Sequence, residues 1–188
     1  MEQDNTNDKE TTTLSNGKVF TMRRDKAIKY YKLTYIMANL LSKDPSTKVG
    51  AILLNPDTLH VLSMGYNGMP RNVKEYETEK WTRPIKYKYV EHAERNAIYN
   101  AAHSGTPLKD SICVASMCPC TDCARGLIQS GCRMVITRDV NEFALKNPDL
   151  VERWKPEWDI SIPMMEEAGI KIIMLTESEI KIDQSDIL

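Results

Sequence analysis

No run of this 188-residue chain is apolar for long enough to form a membrane-spanning helix. Charge of one sign is missing too: 25 Lys and Arg stand against 26 Asp and Glu, a formal net charge of −1. Proteins that grip long nucleic acids draw much of their affinity from neutralising phosphates and carry a basic patch or stripe. The balance therefore argues against a polynucleotide partner and fits a small ligand that needs only a few local cations. A secretory signal is absent from the polar segment Met1 to Thr13, which is rich in Asp, Glu, Asn and Thr. That segment is expected to be disordered and the chain cytoplasmic. The cysteines number five, at positions 113, 118, 120, 123 and 132. An odd count with no export signal points to reduced thiols or metal ligation rather than a disulfide framework. Hydrophobic residues at 41% and charged residues at 27% are ordinary for a globular domain. Neither an internal repeat nor a linker divides the chain.

The periodicity predicts helix, strand, strand, and then alternating helices and strands. Apolar positions recur at helical spacing from Arg23 to Lys43, and Asp44-Pro45 ends that helix. Lys48 to Leu54 and Leu59 to Gly65 read as a hairpin around Asn55-Pro56-Asp57-Thr58. A long polar loop runs from Tyr66 to about Val90, and a loop of that length inside a domain is more often functional than idle. Helices are expected over Glu91 to His103, Thr121 to Gln129 and Ile162 to Ala168. Strands are expected over Ile112 to Ser116, Arg133 to Thr137 and Ile170 to Leu175. Asn141 to Trp158 reads as irregular. The sum is an α/β domain over residues 21–176, a five-stranded mixed sheet between helical layers. Pairing is expected to be largely parallel after the opening hairpin. A flexible extension, 1–20, precedes the domain and a polar tail, 177–188, follows it.

The chemistry concentrates in His92-Ala93-Glu94 and Pro119-Cys120-Thr121-Asp122-Cys123. Cys-x-x-Cys at a helix start turns both sulfurs toward one point, and the helix N-terminus favours their thiolate forms. One imidazole and two thiolates hold a zinc ion with a fourth position left for water. Glu94, two residues after the histidine, is placed to move protons between that water and a substrate. The combination is the signature of zinc-dependent nucleobase deaminases, in which water attacks the ring carbon bearing the amine. No organic cofactor is required. A closed structural zinc knot is the alternative, with Cys118, Cys113 or Cys132 as a fourth ligand. In a non-enzymatic binding module, Glu94 would be a helix-surface acid only. His60 and His103 lack any comparable setting.

Beyond that core, the chain resembles the deoxycytidylate (dCMP) deaminases among the zinc-dependent cytidine and deoxycytidylate deaminases. The resemblance rests on Ser42 to Ala51, Gly65-Tyr66-Asn67-Gly68-Met69-Pro70-Arg71, Lys88 to Ile98, Pro119 to Arg125 and Leu127 to Gly131. It covers roughly Arg23 to Thr137, and more loosely extends to Leu175. It implies a three-layer α-β-α cytidine-deaminase-like fold, zinc at His92, Cys120 and Cys123, and Glu94 as the proton shuttle. The implied reaction is hydrolysis of dCMP to dUMP and ammonia, feeding thymidylate synthesis. A modified nucleotide, a nucleoside or an RNA base is the alternative substrate. Asn67 matches a position that meets the nucleotide's sugar, and Gly65, Tyr66, Gly68, Arg71 and Ala93 complete the candidate set for substrate or effector. The resemblance also implies a homo-oligomer, hexamer or dimer, with dCTP as activator and dTTP as inhibitor together with Mg2+. Lys48, Arg71, Arg95 and Arg125 are candidate phosphate cations by position, Arg71 foremost. Two departures stand out: Arg95 where many members carry an apolar or small residue, and Cys118 where an aromatic is common.

Overall fold

Residues 8–182 are described in this computed structural model. Two strands, β1 (Lys9–Thr13) and β2 (Val19–Arg23), form an antiparallel hairpin that leads directly into helix α1 (Arg24–Leu41). Strands β3 (Gly50–Leu54) and β4 (Val61–Tyr66) follow as a second hairpin. The long loop contains a 3-10 turn (Thr78–Trp81) and the short helix α2 (Lys86–Tyr89). Then come α3 (Ala93–Ser104), β5 (Ile112–Ala115), α4 (Thr121–Gln129) and β6 (Met134–Arg138). The last elements are α5 (Val140–Lys146), α6 (Pro148–Glu167) and β7 (Lys171–Leu175).

The main sheet has the order β4-β3-β5-β6-β7. Successive side chains of a strand point to opposite faces, and this splits the core in two. Ile52, Leu54, Ile112, Val114, Met134 and Ile136 pack under α1 with Phe20 and Met22 of the first hairpin. Ala51, Leu53, Cys113, Ala115 and Val135 pack on the other side with Ala93, Ala97, Ala124, Leu127 and Met165 of α3, α4 and α6. The result is the expected three-layer α/β fold. No helix among the described residues is long and apolar enough to cross a membrane.

Four expectations are corrected. The pairing is half antiparallel, because β3 lies between β4 and β5 and runs against both. The crossover through α3 leaves β4 and β5 in the same direction, but not as neighbours. Only β5–β6 and β6–β7 are parallel. Second, most of the extension read as flexible is the first hairpin, since Phe20 and Met22 alternate with exposed residues and bury one face. Residues 1–7 lie outside the described residues. Third, the segment read as irregular is helical: Trp158, Ser161 and Met165 recur at i, i+3 and i+7 along one buried stripe of α6. Pro156 and Pro163 sit on its exposed side. The carbonyls they orphan, those of Glu152 and Asp159, belong to exposed residues too. The expected helix Ile162 to Ala168 is the end of α6. Fourth, the start of the polar tail is anchored. Glu179 accepts from Arg24 Nε at 2.6 Å and Nη2 at 3.0 Å, while Arg24 Nη1 donates to Glu10 at 2.8 Å. Ile180 is buried against the core. Residues 183–188 lie outside the described residues.

Gly65 sets how closely α3 approaches the sheet. A Cβ there would stand 2.4 Å from both Ala93 O and Ala97 N, backbone atoms that cannot rotate away. We expect Gly65→Ala to destabilise the fold by about 1–3 kcal/mol, the usual range for overpacking, read as a lowered urea midpoint. An unchanged midpoint would mean the helix has slack at this contact.

Candidate active site

Two helix starts meet behind β3 and β5. His92 is the N-cap residue of α3, extended at ψ 154°, and Cys120 is the N-cap residue of α4 at ψ 175°. Ala93, Ala97 and Ala101, four residues apart, are fully buried and press α3 against the sheet. Cys123, Ala124 and Leu127 do the same for α4. The segment entering α4 is held by three side chains of α6. Glu157 accepts from Thr121 N at 3.0 Å and from its hydroxyl at 2.6 Å, satisfying an otherwise orphaned helix donor. Trp158 Nε1 donates to Cys118 O at 3.2 Å, and Ser161 Oγ donates to Pro119 O at 2.7 Å.

His92 Nδ1 lies 3.3 Å from Cys120 Sγ and 3.6 Å from Cys123 Sγ. The ligand atoms of His92, Cys120 and Cys123 all fall within 4.8 Å of one another, the only such trio of His, Cys, Asp or Glu among the described residues. Glu94 is 3% exposed, and the Cys123 thiol donates to its Oε2 at 3.4 Å. A hydrogen bond from Cys123 and the neighbouring His92 outweigh burial and draw the Cys120 thiol down to about 4. Burial, reinforced by the negative Cys120, raises the Glu94 carboxyl. The trio turns toward itself and Glu94, a donor set of one imidazole and two thiols that suits zinc.

Among the described residues the closed-knot alternative finds no fourth ligand. Cys118 joins no such cluster; its sulfur has a neighbouring carbonyl at 4.0 Å, and burial pushes its thiol far up. Cys132 donates to Met134 O at 3.2 Å, and Cys113 is buried in the sheet. The fourth side opens instead into a cavity of about 710 Å3, mouth included, lined by His92, Ala93, Glu94, Cys118 and Cys120. Its other walls are Asp44, Thr47, Val49, Asn67, Arg83, Lys86, Tyr87, Val90, Met117, Trp154 and Trp158.

The remaining candidates divide. Asn67 lines the cavity, yet its amide is fully engaged. Its Oδ1 accepts from Ser42 Oγ and Val49 N, each at 2.8 Å. Its Nδ2 donates to Asp44 Oδ2 at 2.9 Å and Thr47 O at 2.8 Å. With two donors and two acceptors used, the Asn67 amide fixes this part of the wall. Gly65 is packed under α3. Tyr66, Gly68 and Arg71 line a different cavity, with Lys43, Glu75, Trp81, Asn96 and Asn100. The backbone of Gly68 exchanges hydrogen bonds with that of Glu91, tying the loop to the start of α3. Of the four phosphate cations read from position, none reaches the cavity beside the trio. Arg71 donates to Asn100, Lys48 to Asn39 O, and Arg95 and Arg125 to Asp122.

Sequence reasoning missed Lys86 and Arg83, in the long loop, and Trp154 and Trp158, in the segment read as irregular. Lys86 Nζ donates to Asp44 Oδ1 at 2.7 Å and Ser46 Oγ at 2.6 Å, closing a buried ion pair. Trp154 sits edge-on to the His92 ring, centroids 6.0 Å apart. The helical spacing of Trp154, Trp158, Ser161 and Met165 was the signal that could have found the two tryptophans.

The family model described as the cytidine and deoxycytidylate deaminase zinc-binding region matches residues 24–138. An uncharacterised deaminase from the luxG 3' region of Aliivibrio fischeri is 33% identical over 150 residues, covering 78% of this chain and 94% of that one. Human deoxycytidylate deaminase is 34% identical over 113 residues, covering 57% of this chain. The chain spans 61% of that relative's length in the match. The crystal structure of dCMP deaminase from the cyanophage S-TIM5 in complex with dCMP and dUMP has the same fold. It superposes with a TM-score of 0.61 at 24% identity, covering 82% of this chain and 99% of that one.

The trio yields a test that needs no substrate. We expect Cys120→Ser and Cys123→Ser each to lower both bound zinc and thermal stability, because metal binding is coupled to folding. Full zinc content in both variants, by metal analysis, would show that other groups hold the ion.

Proposed function

The chain belongs to the cytidine and deoxycytidylate deaminase family, and on that premise we propose that it hydrolyses dCMP to dUMP and ammonia. The observation that carries this reading is the buried carboxylate of Glu94 beside the His92, Cys120 and Cys123 trio, at the wall of the cavity. Zinc bound by the trio supplies a Lewis acid that makes water nucleophilic near neutral pH. Glu94 takes the proton of the attacking water, passes it to the ring nitrogen next to the reacting carbon, and later assists departure of the amine. The carboxylate stands two residues after the histidine and is 3% exposed, so bulk water has little access to the proton it carries. Met117, Trp154 and Trp158 give the cavity apolar walls that suit a planar base and exclude water around it.

Tyr66, Gly68 and Arg71 serve a nucleotide effector, dCTP or dTTP with Mg2+, in the separate cavity that they line. We infer a homo-oligomer, hexamer or dimer, from the same family resemblance, and a cytoplasmic enzyme from the five free cysteines. Residues 21–176 hold its one catalytic domain, and the hairpin that begins at Lys9 and the segment reaching Ile180 pack into the same core.

The test is a kinetic series on zinc-loaded protein with dCMP, CMP and deoxycytidine, with and without dCTP, dTTP and Mg2+. We expect dCMP to be preferred, with loss of cytosine absorbance and release of ammonia. Glu94→Ala is expected to lose at least about 100-fold in turnover, the lower end for a general acid-base group, with zinc still bound. Turnover of deoxycytidine but not dCMP would remove the monophosphate assignment. Full turnover by Glu94→Ala would remove the chemistry.

A further inference from the structure

A nucleotide monophosphate carries its charge at the end far from the base, so a cavity that takes the base beside Glu94 must meet the phosphate nearer its mouth. Three side chains of basic type line this cavity: His92, Lys86 and Arg83. His92 belongs to the metal trio. Lys86 is consumed by a buried pair: its ammonium bonds Asp44 and Ser46, and its side chain is 7% exposed against 0% for Asp44. Arg83 differs from both. Its residue is exposed, which places it at the opening, and no carboxylate pairs with it among the described residues. The two acidic groups on the cavity wall are Asp44, held by Lys86, and Glu94, buried beside Cys123.

Arg83 is also held in place. Its Nε donates to the Tyr87 hydroxyl at 2.9 Å, and its guanidinium lies 5.9 Å from the centre of the Tyr87 ring. Tyr87 stands one helical turn on, in α2, whose Lys86 is anchored to Asp44. A guanidinium offers five N–H donors, and this bond uses one. The two terminal nitrogens remain for a fork of parallel bonds, the geometry that matches phosphate oxygens. A surface arginine with neither bond nor stack would carry no such preference.

We propose that Arg83 is the residue that selects a phosphorylated substrate, binding the 5'-phosphate of the nucleotide at the mouth of the cavity with Tyr87 as its positioning residue. This rests on the deaminase reading above. Arg83 touches neither the base nor the metal trio, so its removal costs recognition of the phosphate and leaves the chemistry of the base to Glu94. The segment containing it lies outside the motifs that carry the family resemblance, so the sequence motifs alone did not single it out.

The experiment compares wild type, Arg83→Gln, Arg83→Lys and Tyr87→Phe, all zinc-loaded, on dCMP and deoxycytidine. In Arg83→Gln the ratio of kcat/KM for dCMP to that for deoxycytidine is expected to fall about 10- to 100-fold, mostly through KM. That range is the loss of one charged hydrogen-bonding group, at a factor of ten per 1.4 kcal/mol. Arg83→Lys recovers part of the ratio because charge remains without the fork. Tyr87→Phe falls between wild type and Arg83→Gln. Inorganic phosphate competes with dCMP in the wild type and loses that effect in Arg83→Gln. An unchanged ratio in Arg83→Gln, or an equal loss on both substrates, overturns the proposal. A wild type with no preference for dCMP overturns the substrate reading itself, and that result is visible before any variant is made.

Discussion

Everything at this site depends on two helix N-termini being brought to one point. His92 and Cys120 each occupy the residue just ahead of a helix, so their side chains leave the backbone before helical packing can claim them. The approach is set by small residues. Gly65 lets α3 sit against β4, and a Cβ on Gly126 of α4 would already stand 3.3 Å from Ile98 of α3. Glu157, Trp158 and Ser161 then lock the Cys118 to Thr121 segment from the outside. The packing of α3 and α4 and the clamp from α6 thus fix the two sulfurs and the imidazole ring before any ion arrives, which lowers the ordering cost of binding it.

The opposite wall follows a different logic. Asp44, Lys86 and Asn67 form a buried polar network, with the exposed Ser46 bonded at its edge. Burying an ion pair returns little net stability, because desolvation offsets attraction. What it supplies here is position. Asp44 accepts from the backbone of Ser46 and Thr47 at 2.9 and 3.1 Å, while Lys86 reaches it from α2. The long polar loop is thereby fastened to the loop after α1, and Arg83 and Tyr87 are carried to the mouth of the cavity. Those bonds outweigh burial and hold the Asp44 carboxyl below its usual range.

Legibility in the sequence followed the range of the interactions. The metal trio and Glu94 were readable because their spacing within two short segments already implies convergence. The sheet strands were readable from aliphatic runs such as Ala51 to Leu54 and Met134 to Ile136. The insertion of β3 between β4 and β5 was not, since strand order is decided by packing between distant segments. Pro156 and Pro163 hid α6, although both face solvent where their missing bonds cost least. The first hairpin was hidden by its Thr-rich polar face, with only Phe20 and Met22 to mark the buried one. Asn67 was named from the resemblance alone, and its four partners, from Ser42 to Val49, are assembled only by the fold.

The central claim is a metal held by one nitrogen and two sulfurs with one side left to the cavity. X-ray absorption at the zinc edge of the zinc-loaded chain reads that coordination directly. The account predicts two sulfurs at about 2.3 Å together with a nitrogen and an oxygen at about 2.0–2.2 Å. A third or fourth sulfur in the shell would contradict it, because the side open to a substrate would then be closed by the protein.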